Sequence, residues 1–145
     1  MNKRVISTFL AFMLLLTIIQ FPAFATGDDS NGDRASSYLN MYSAELYASG
    51  TSGKLELEFE VVATGFMDSV GVFGIFVRNN DGTIYRTIWG STANGLLDTN
   101  TWYHAGEYTL NLTSGHTYYC TVIVIARDAN GSDTRKIITS QVTCP

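Results

Sequence analysis

The chain has 145 residues, of which 9 are basic and 13 acidic, and its formal net charge is -4. This length suits a single domain with one core. The acidic balance argues against a nucleic acid partner, because neutralising phosphates requires a basic surface. It also argues against electrostatic binding of the chain to an anionic membrane.

The first 25 residues have the pattern of a secretory signal peptide. Lys3 and Arg4 precede an apolar run from Phe9 to Phe21, and residues 23–25 (Ala-Phe-Ala) form a small-x-small cleavage site. Cleavage there leaves 120 residues with 7 basic and 13 acidic ones, a net charge of -6. We therefore predict a secreted, extracellular protein, and the alternative is a retained N-terminal anchor.

Residues 26–37 are polar and predict a flexible leader, so that the folded domain is expected over residues 38–145. The clearest element of this domain is the segment from Lys54 to Ala63. Its apolar residues alternate with one lysine and three glutamates. Because successive strand side chains point to opposite faces, the segment predicts a half-buried strand with a charged outer face.

Six further segments predict strands, with turn signals between them. They are Tyr38–Ala48, Val70–Arg78, Thr83–Trp89, Glu107–Leu112, Thr117–Arg127 and Lys136–Thr143. Residues 79–82 and 130–131 are hairpin signals, and residues 90–101 are predicted as a polar loop. The pattern predicts an all-β domain, an antiparallel β-sandwich of about seven strands.

The two cysteines, Cys120 and Cys144, are expected to form a disulfide, since the predicted compartment is oxidising. With a hairpin turn centred near Gly131 and Ser132, the two residues would lie nearly opposite each other on paired strands. Such a crosslink contributes roughly 3 kcal/mol by loop-closure reasoning. Two free thiols are the alternative.

Residues 112–126, L-T-S-G-H-T-Y-Y-C-T-V-I-V-I-A, resemble the corner and sixth strand of immunoglobulin-like and fibronectin type III domains. The matching positions are Gly115, Tyr118, Cys120, Val122 and Val124. The resemblance implies an immunoglobulin-like β-sandwich and no particular function. Antibody-type domains carry the partner cysteine on their second strand, and residues 54–63 contain none. The whole chain is also similar to small secreted proteins of Gram-positive bacteria, which implies secretion only.

Catalytic patterns are sparse in this sequence. His104 and His116 are its two histidines, the groups suited to acid–base work near neutral pH. His116 lies in a predicted turn, whereas His104 lies in or near the predicted loop and is a candidate for facing a ligand. The sequence has neither a nucleophile elbow nor a phosphate loop. We predict that the chain is not an enzyme, and a small hydrolase using His104 is the least favoured alternative.

Metal-binding patterns are equally weak. Asp29-x-Asn31-x-Asp33 imitates the start of a calcium loop, but Arg34 and Asn40 replace the required glycine and glutamate. The oxygen ligands within residues 128–133 are typical of a turn. The three glutamates of residues 54–63 recur about 6.6 Å apart, which is too far for one ion. No metal or other cofactor is predicted.

Aromatic residues are the most informative feature. Tyr85 and Trp89 share one side of a predicted strand and lie about 13 Å apart. Arg86 lies on the other side, which predicts that the pair points inward. Exposed flat aromatic rings can stack on the apolar faces of sugar rings. The candidate ligand-binding residues are Trp102, Tyr103, His104, Tyr85 and Trp89.

We therefore predict a secreted, non-catalytic binding or structural module for a carbohydrate or a cell-surface protein, monomeric or weakly associating. The alternative is a secreted effector, antimicrobial or toxin-like, that acts on neighbouring cells. In that case Trp102, Tyr103 and the Leu96-Leu97 pair would contact a membrane or receptor.

Overall fold

The computed structural model describes residues 36–145, of which 69% lie in strands and none in a helix. The predicted signal peptide (1–25) and nearly all of the predicted leader (26–37) lie outside these residues. Within residues 36–145, no helix is long and apolar enough to span a bilayer.

Nine strands form the described part of the chain. They are β1 (Leu39–Ala48), β2 (Lys54–Met67), β3 (Ser69–Asn79), β4 (Ile84–Trp89), β5 (Leu97–Asp98), β6 (Thr101–Asn111), β7 (Thr117–Asp128), β8 (Gly131–Ile138) and β9 (Val142–Thr143). One sheet has the order β1-β2-β6. The other has the order β4-β3-β7-β8, with β5 also paired to β3 and β9 to β7. All pairs are antiparallel, which confirms the all-β prediction.

The inner faces of the two sheets share one apolar core. On β2 the residues Leu55, Leu57, Phe59 and Val61 are buried, while the glutamates between them face outward. This confirms the predicted alternation of the segment 54–63. Burying each leucine contributes roughly 1.5–3 kcal/mol. Parts of β3 and β7, the two middle strands of the larger sheet, are buried on both faces.

Two bulges decide which side chains face outward on the six-stranded sheet. In β3 the pairing with β7 skips Phe73, because Val72 is paired with Val124 and Gly74 with Ile123. In the pairing of β3 with β4, Val77 is opposite Arg86 and Arg78 opposite Ile84. Tyr85 is therefore the extra residue of β4. A bulge resets the alternation of side chains, so period 2 fails across both positions.

The predicted loop of residues 90–101 is shorter in the structure. The loop contains the short strand β5, and it begins at Gly90, directly after the end of β4. The Gly90 amide donates to the carbonyl of Phe73 (2.9 Å). A Cβ at position 90 would lie 1.8 Å from the carbonyl oxygen of Val72. Only glycine permits this approach of the two backbones. The next strand, β6, begins at Thr101, so Trp102 and Tyr103 lie in a strand and not in a loop.

The predicted Cys120–Cys144 disulfide is absent from the structure, where both cysteines are buried free thiols. The hairpin turns at Asp128–Gly131, earlier than predicted, and Cys120 therefore exchanges hydrogen bonds with Thr139. The Cys144 amide donates to the carbonyl of His116 (2.9 Å). Four strand residues, roughly 13 Å, separate these positions on β7. A disulfide needs Cα atoms about 4.4–6.8 Å apart.

The outer face of the three-stranded sheet is acidic. Glu58 is paired with Glu45 on β1 and with Glu107 on β6, so three carboxylates form a row across the sheet. Glu56 and Glu60 extend the same face along β2. The Tyr47 hydroxyl donates to Oε1 of Glu107 (2.8 Å). This hydrogen bond and the surrounding carboxylates raise the pKa of Tyr47 to about 12.

Candidate functional site

Trp89 lies on the outer face of the six-stranded sheet, at the end of β4, and 58% of it is exposed. The prediction that Trp89 points inward is therefore wrong. Trp89 is paired with Gly74, whereas Arg86 is paired with the buried Val77 and so occupies the inner side of this edge strand. Arg86 stays exposed there. On this edge strand a charged residue, Arg86, thus lies on the inner side, so its charge was no guide to which face of the strand is the outer one.

Two phenylalanines hold the Trp89 ring. The Phe73 ring centroid lies 5.5 Å from that of Trp89 at an interplanar angle of 64°, and the Phe76 centroid lies 5.7 Å away at 84°. Such edge-to-face pairs contribute about 0.5–1.5 kcal/mol each beyond burial. We call Phe73, Phe76 and Trp89 the aromatic cluster. Its rings restrain one another, so a ligand meets a surface that is largely ordered in advance.

Gly74 makes room for the cluster. A Cβ at position 74 would lie 3.3 Å from two atoms of the Trp89 ring, so the indole lies directly over this glycine. Ile123, paired with Gly74 on β7, continues the apolar surface. Ile125 is buried without belonging to the inner core, which places it under the same outer face.

Neither Phe73 nor Phe76 was predicted as a site residue. Both lie in an almost wholly apolar segment, which predicts a central strand without distinguishing its two faces. Phe73 faces outward in alternation with the buried Val70 and Val72. The bulge places Gly74 on the same outer face, where the Trp89 ring covers it. The one available signal was Gly74, since a glycine inside a strand often marks a bulge or a close approach.

Tyr85 lies at the other end of β4 and does not join the aromatic cluster. Its ring packs against that of Tyr118 in an edge-to-face contact at 5.3 Å, and the Arg86 guanidinium lies 5.8 Å from its centroid. The Tyr85 hydroxyl is 3.5 Å from Oγ1 of Thr113. The predicted inward direction is met in part, because the ring contacts a core residue and remains exposed at its margin.

Trp102 and Tyr103 lie at the start of β6 in the three-stranded sheet. Their ring centroids are 5.8 Å apart, and both side chains are exposed. Tyr103 borders a shallow groove of about 400 Å³ whose charged lining residues are the outer-face glutamates Glu58, Glu60 and Glu107. Because this sheet packs on the inner face of the other, Tyr103 and Trp89 lie on opposite sides of the domain.

His104 is tied to the protein. Its Nε2 donates to the carbonyl oxygen of Gly95 (2.8 Å), and its ring lies 5.3 Å from that of Phe59. Its Cδ2 atom is so close to Gly71 that a Cβ there would lie 2.9 Å away. These contacts fasten the loop before β5 onto β6. Of the five predicted ligand residues, the structure thus places only Trp102 and Tyr103 in ring contact with each other.

No family model and no curated protein matches the sequence. Among solved structures, the chain is similar to a family 76 glycoside hydrolase from a bovine Bacteroides thetaiotaomicron strain, with 17% identity and a TM-score of 0.45. The match covers 74% of this chain and 21% of that one, so the chain spans about a fifth of the length of the hydrolase.

This match corrects the prediction that the chain is not an enzyme, since the protein it resembles is a glycoside hydrolase. We withdraw that prediction. At this TM-score the similarity assigns neither an activity nor a catalytic residue to this chain.

Proposed function

We propose that the protein is a secreted carbohydrate-binding domain and that its aromatic cluster stacks on the sugar rings of a neutral polysaccharide. The observation that carries this proposal is the exposure of Trp89 on the outer face of the sheet, where two phenylalanines and Gly74 hold the indole in place. Soluble domains rarely leave ordered aromatic surface uncovered unless it binds something.

The physical gain comes from apolar contact. The C–H faces of a pyranose ring are apolar, and an aromatic ring offers them a flat and polarisable surface. Covering roughly 100 Å² of this surface contributes about 2.5 kcal/mol. Because association also carries an entropic cost, one such contact binds weakly. A polymer that presents many rings compensates for this weakness by multivalent contact.

The residues beside the cluster favour a neutral ligand. Phe76 is flanked on its two neighbouring strands by Thr87, whose exposed hydroxyl can meet a ligand, and by Thr121, whose buried hydroxyl accepts a hydrogen bond from Nε of Arg78 (3.2 Å). Hydroxyl groups at the rim of an apolar surface suit the alternating C–H and O–H surface of a sugar. The negative net charge of the whole chain also disfavours an acidic polysaccharide.

The proposal includes an immunoglobulin-like topology for the two-sheet fold. The strand orders β1-β2-β6 and β4-β3-β7-β8 support it, and so does the position of Tyr118 near the start of β7. The strands β5 and β9, each of two residues, are additions to the seven longer ones. Secretion rests on the N-terminal sequence pattern, and the role of a secreted effector stays an alternative prediction.

The test is retention of the purified protein on insoluble cellulose, chitin and peptidoglycan. We expect retention on at least one of them and a loss of at least tenfold in affinity for Trp89→Ala. Trp102→Ala is the matched control, because it removes a similarly exposed tryptophan from the other sheet. Circular dichroism and a thermal melt verify that both variants fold.

Two outcomes would contradict the proposal. One is the absence of retention on all three polymers at high micromolar protein. The other is equal retention of Trp89→Ala and the parent protein. A parent that is dimeric in gel filtration and becomes monomeric through Trp89→Ala would instead assign the cluster to self-association.

A further inference from the structure

A cleft lies at the end of the domain opposite the loop before β5. It is formed between the β3–β4 turn (residues 79–82) and the β6–β7 turn (residues 113–117), and its volume is about 600 Å³. Tyr85 and Tyr118 are its aromatic lining. This volume lies within the range of small-molecule sites in proteins, which is about 300–1,000 Å³. The cleft and the aromatic cluster lie at opposite ends of β4.

Tyr118 provides the most specific observation. Its side chain is 1% exposed, yet its hydroxyl forms no hydrogen bond with any residue in the described part of the chain. No buried polar atom there is left unsatisfied, so this hydroxyl must reach the cleft and not the core. The ring of Tyr118 is thus held in the core while its hydroxyl opens onto the cleft, as the apolar body and polar tip of a tyrosine allow. A ligand in the cleft would supply a hydrogen-bond partner for this hydroxyl.

The rim of the cleft carries further free polar groups. Oδ1 of Asp81 accepts hydrogen bonds from the Thr83 hydroxyl (2.6 Å) and the Thr83 amide (2.9 Å), which lower the pKa of Asp81. These two bonds fix the orientation of the carboxylate. Oδ2 of Asp81 accepts no bond within residues 36–145 and stays available. The His116 imidazole and the Asn80 amide line the same cleft, also without side-chain hydrogen bonds of their own.

We propose that this cleft binds a neutral monosaccharide or disaccharide, with the Tyr118 hydroxyl as its deepest polar contact. The lining contains two tyrosine rings with their hydroxyls, two threonine hydroxyls, two asparagine amides, an imidazole and one carboxylate, but neither lysine nor arginine. Asp81 contributes a negative charge to this lining, which disfavours a phosphate or a carboxylate ligand. A sugar hydroxyl donates to Oδ2 of Asp81 and exchanges a hydrogen bond with Tyr118, while its ring contacts Tyr85.

The test is an NMR titration of the isotope-labelled protein with glucose, galactose, mannose, N-acetylglucosamine and their neutral disaccharides. We expect saturable shifts of Tyr85, Tyr118 and Asp81 resonances with at least one sugar. Tyr118→Phe removes one oxygen and leaves the core packing intact, and it should weaken binding about tenfold. Tyr119→Phe is the matched control, because the neighbouring tyrosine does not line the cleft and should leave the affinity unchanged.

The proposal is overturned if none of these sugars shifts the cleft resonances at its highest usable concentration. It is equally overturned if Tyr118→Phe binds as tightly as the parent. Trp89→Ala separates this site from the aromatic cluster, since it should weaken binding to polysaccharide at least tenfold and leave the cleft titration unchanged. Each site can therefore fail without the other.

Discussion

The row of carboxylates on the three-stranded sheet predicts that Glu58→Gln stabilises the protein. Glu58 lies directly opposite Glu45 and Glu107 on its two neighbouring strands. Glu56 and Glu60 are its neighbours along β2, on the same face. Like charges in such positions destabilise a sheet. Glutamine has nearly the same shape, so the substitution removes the charge and little else.

The magnitude follows from the geometry. Each of the four neighbouring carboxylates lies at about 6–7 Å by strand spacing. Two charges at that distance in water repel by about 0.7 kcal/mol, and salt at physiological strength reduces this to about 0.3 kcal/mol. Four pairs sum to about 1.2 kcal/mol. For a domain of this size the gain corresponds to a rise in Tm of about 4 °C.

Urea denaturation at neutral pH measures this gain, with Glu60→Gln as the control. Glu60 is paired with Ser43 and Ala105, so only Glu58 is a close acidic neighbour, and about 0.3 kcal/mol is expected. At about 1 M salt the difference between the two variants should disappear, because the Debye length falls to about 3 Å. A destabilised Glu58→Gln, or two equally stable variants in low salt, would refute the reasoning.

Three further expectations follow from other contacts. Glu107→Gln should return the pKa of Tyr47 from about 12 toward 10, as measured by NMR of the tyrosine ring, and an unchanged pKa would contradict the assigned hydrogen bond. In the parent protein, the contribution of Tyr47 to stability should be present below pH 10 and lost as the pH rises through 12. Unfolding without reductant should expose two thiols to a labelling reagent, and zero labels after unfolding would show a disulfide. The folded protein at pH 8 should stay unlabelled, because both thiols are buried and burial raises the pKa of Cys120 to about 12. Gly90→Ala should destabilise the fold by about 2–4 kcal/mol, because the new Cβ meets the Val72 carbonyl. The control Gly65→Ala should change the unfolding free energy by less than about 0.5 kcal/mol, because a Cβ there meets nothing within 4 Å.

The strands could be predicted from the sequence wherever one face alone is buried. The segment 54–63 is the clearest case, because its glutamates alternate with Leu55, Leu57, Phe59 and Val61 and the buried set is the apolar one. The hairpin at residues 79–82 could be predicted equally well, since its turn residues have specific backbone preferences. These signals are local, so they predict the same strand or turn in any tertiary arrangement that buries the same face.

The candidate site could not be predicted, because it depends on register. A bulge adds one residue to a strand and reverses every direction assigned beyond it. The bulge at Phe73 put Gly74 on the same outer face as Phe73, and the bulge at Tyr85 separated Tyr85 from Trp89. The cysteine pairing failed for a related reason, since the hairpin turns earlier than predicted and its pairing is interrupted between Ile138 and Val142.

The two outer faces of the domain should also respond differently to salt. Sheets packed face to face lie about 10 Å apart, so the acidic row and the aromatic cluster are separated by more than the Debye length of about 8 Å at physiological ionic strength. The carboxylates therefore contribute little to the potential at Trp89, and stacking there is apolar. Retention on polysaccharide should stay constant from about 0.05 to 0.5 M salt, over the range in which the gain from Glu58→Gln declines. A retention that falls steeply with salt would place the ligand on a charged surface and remove the aromatic cluster as its binding site.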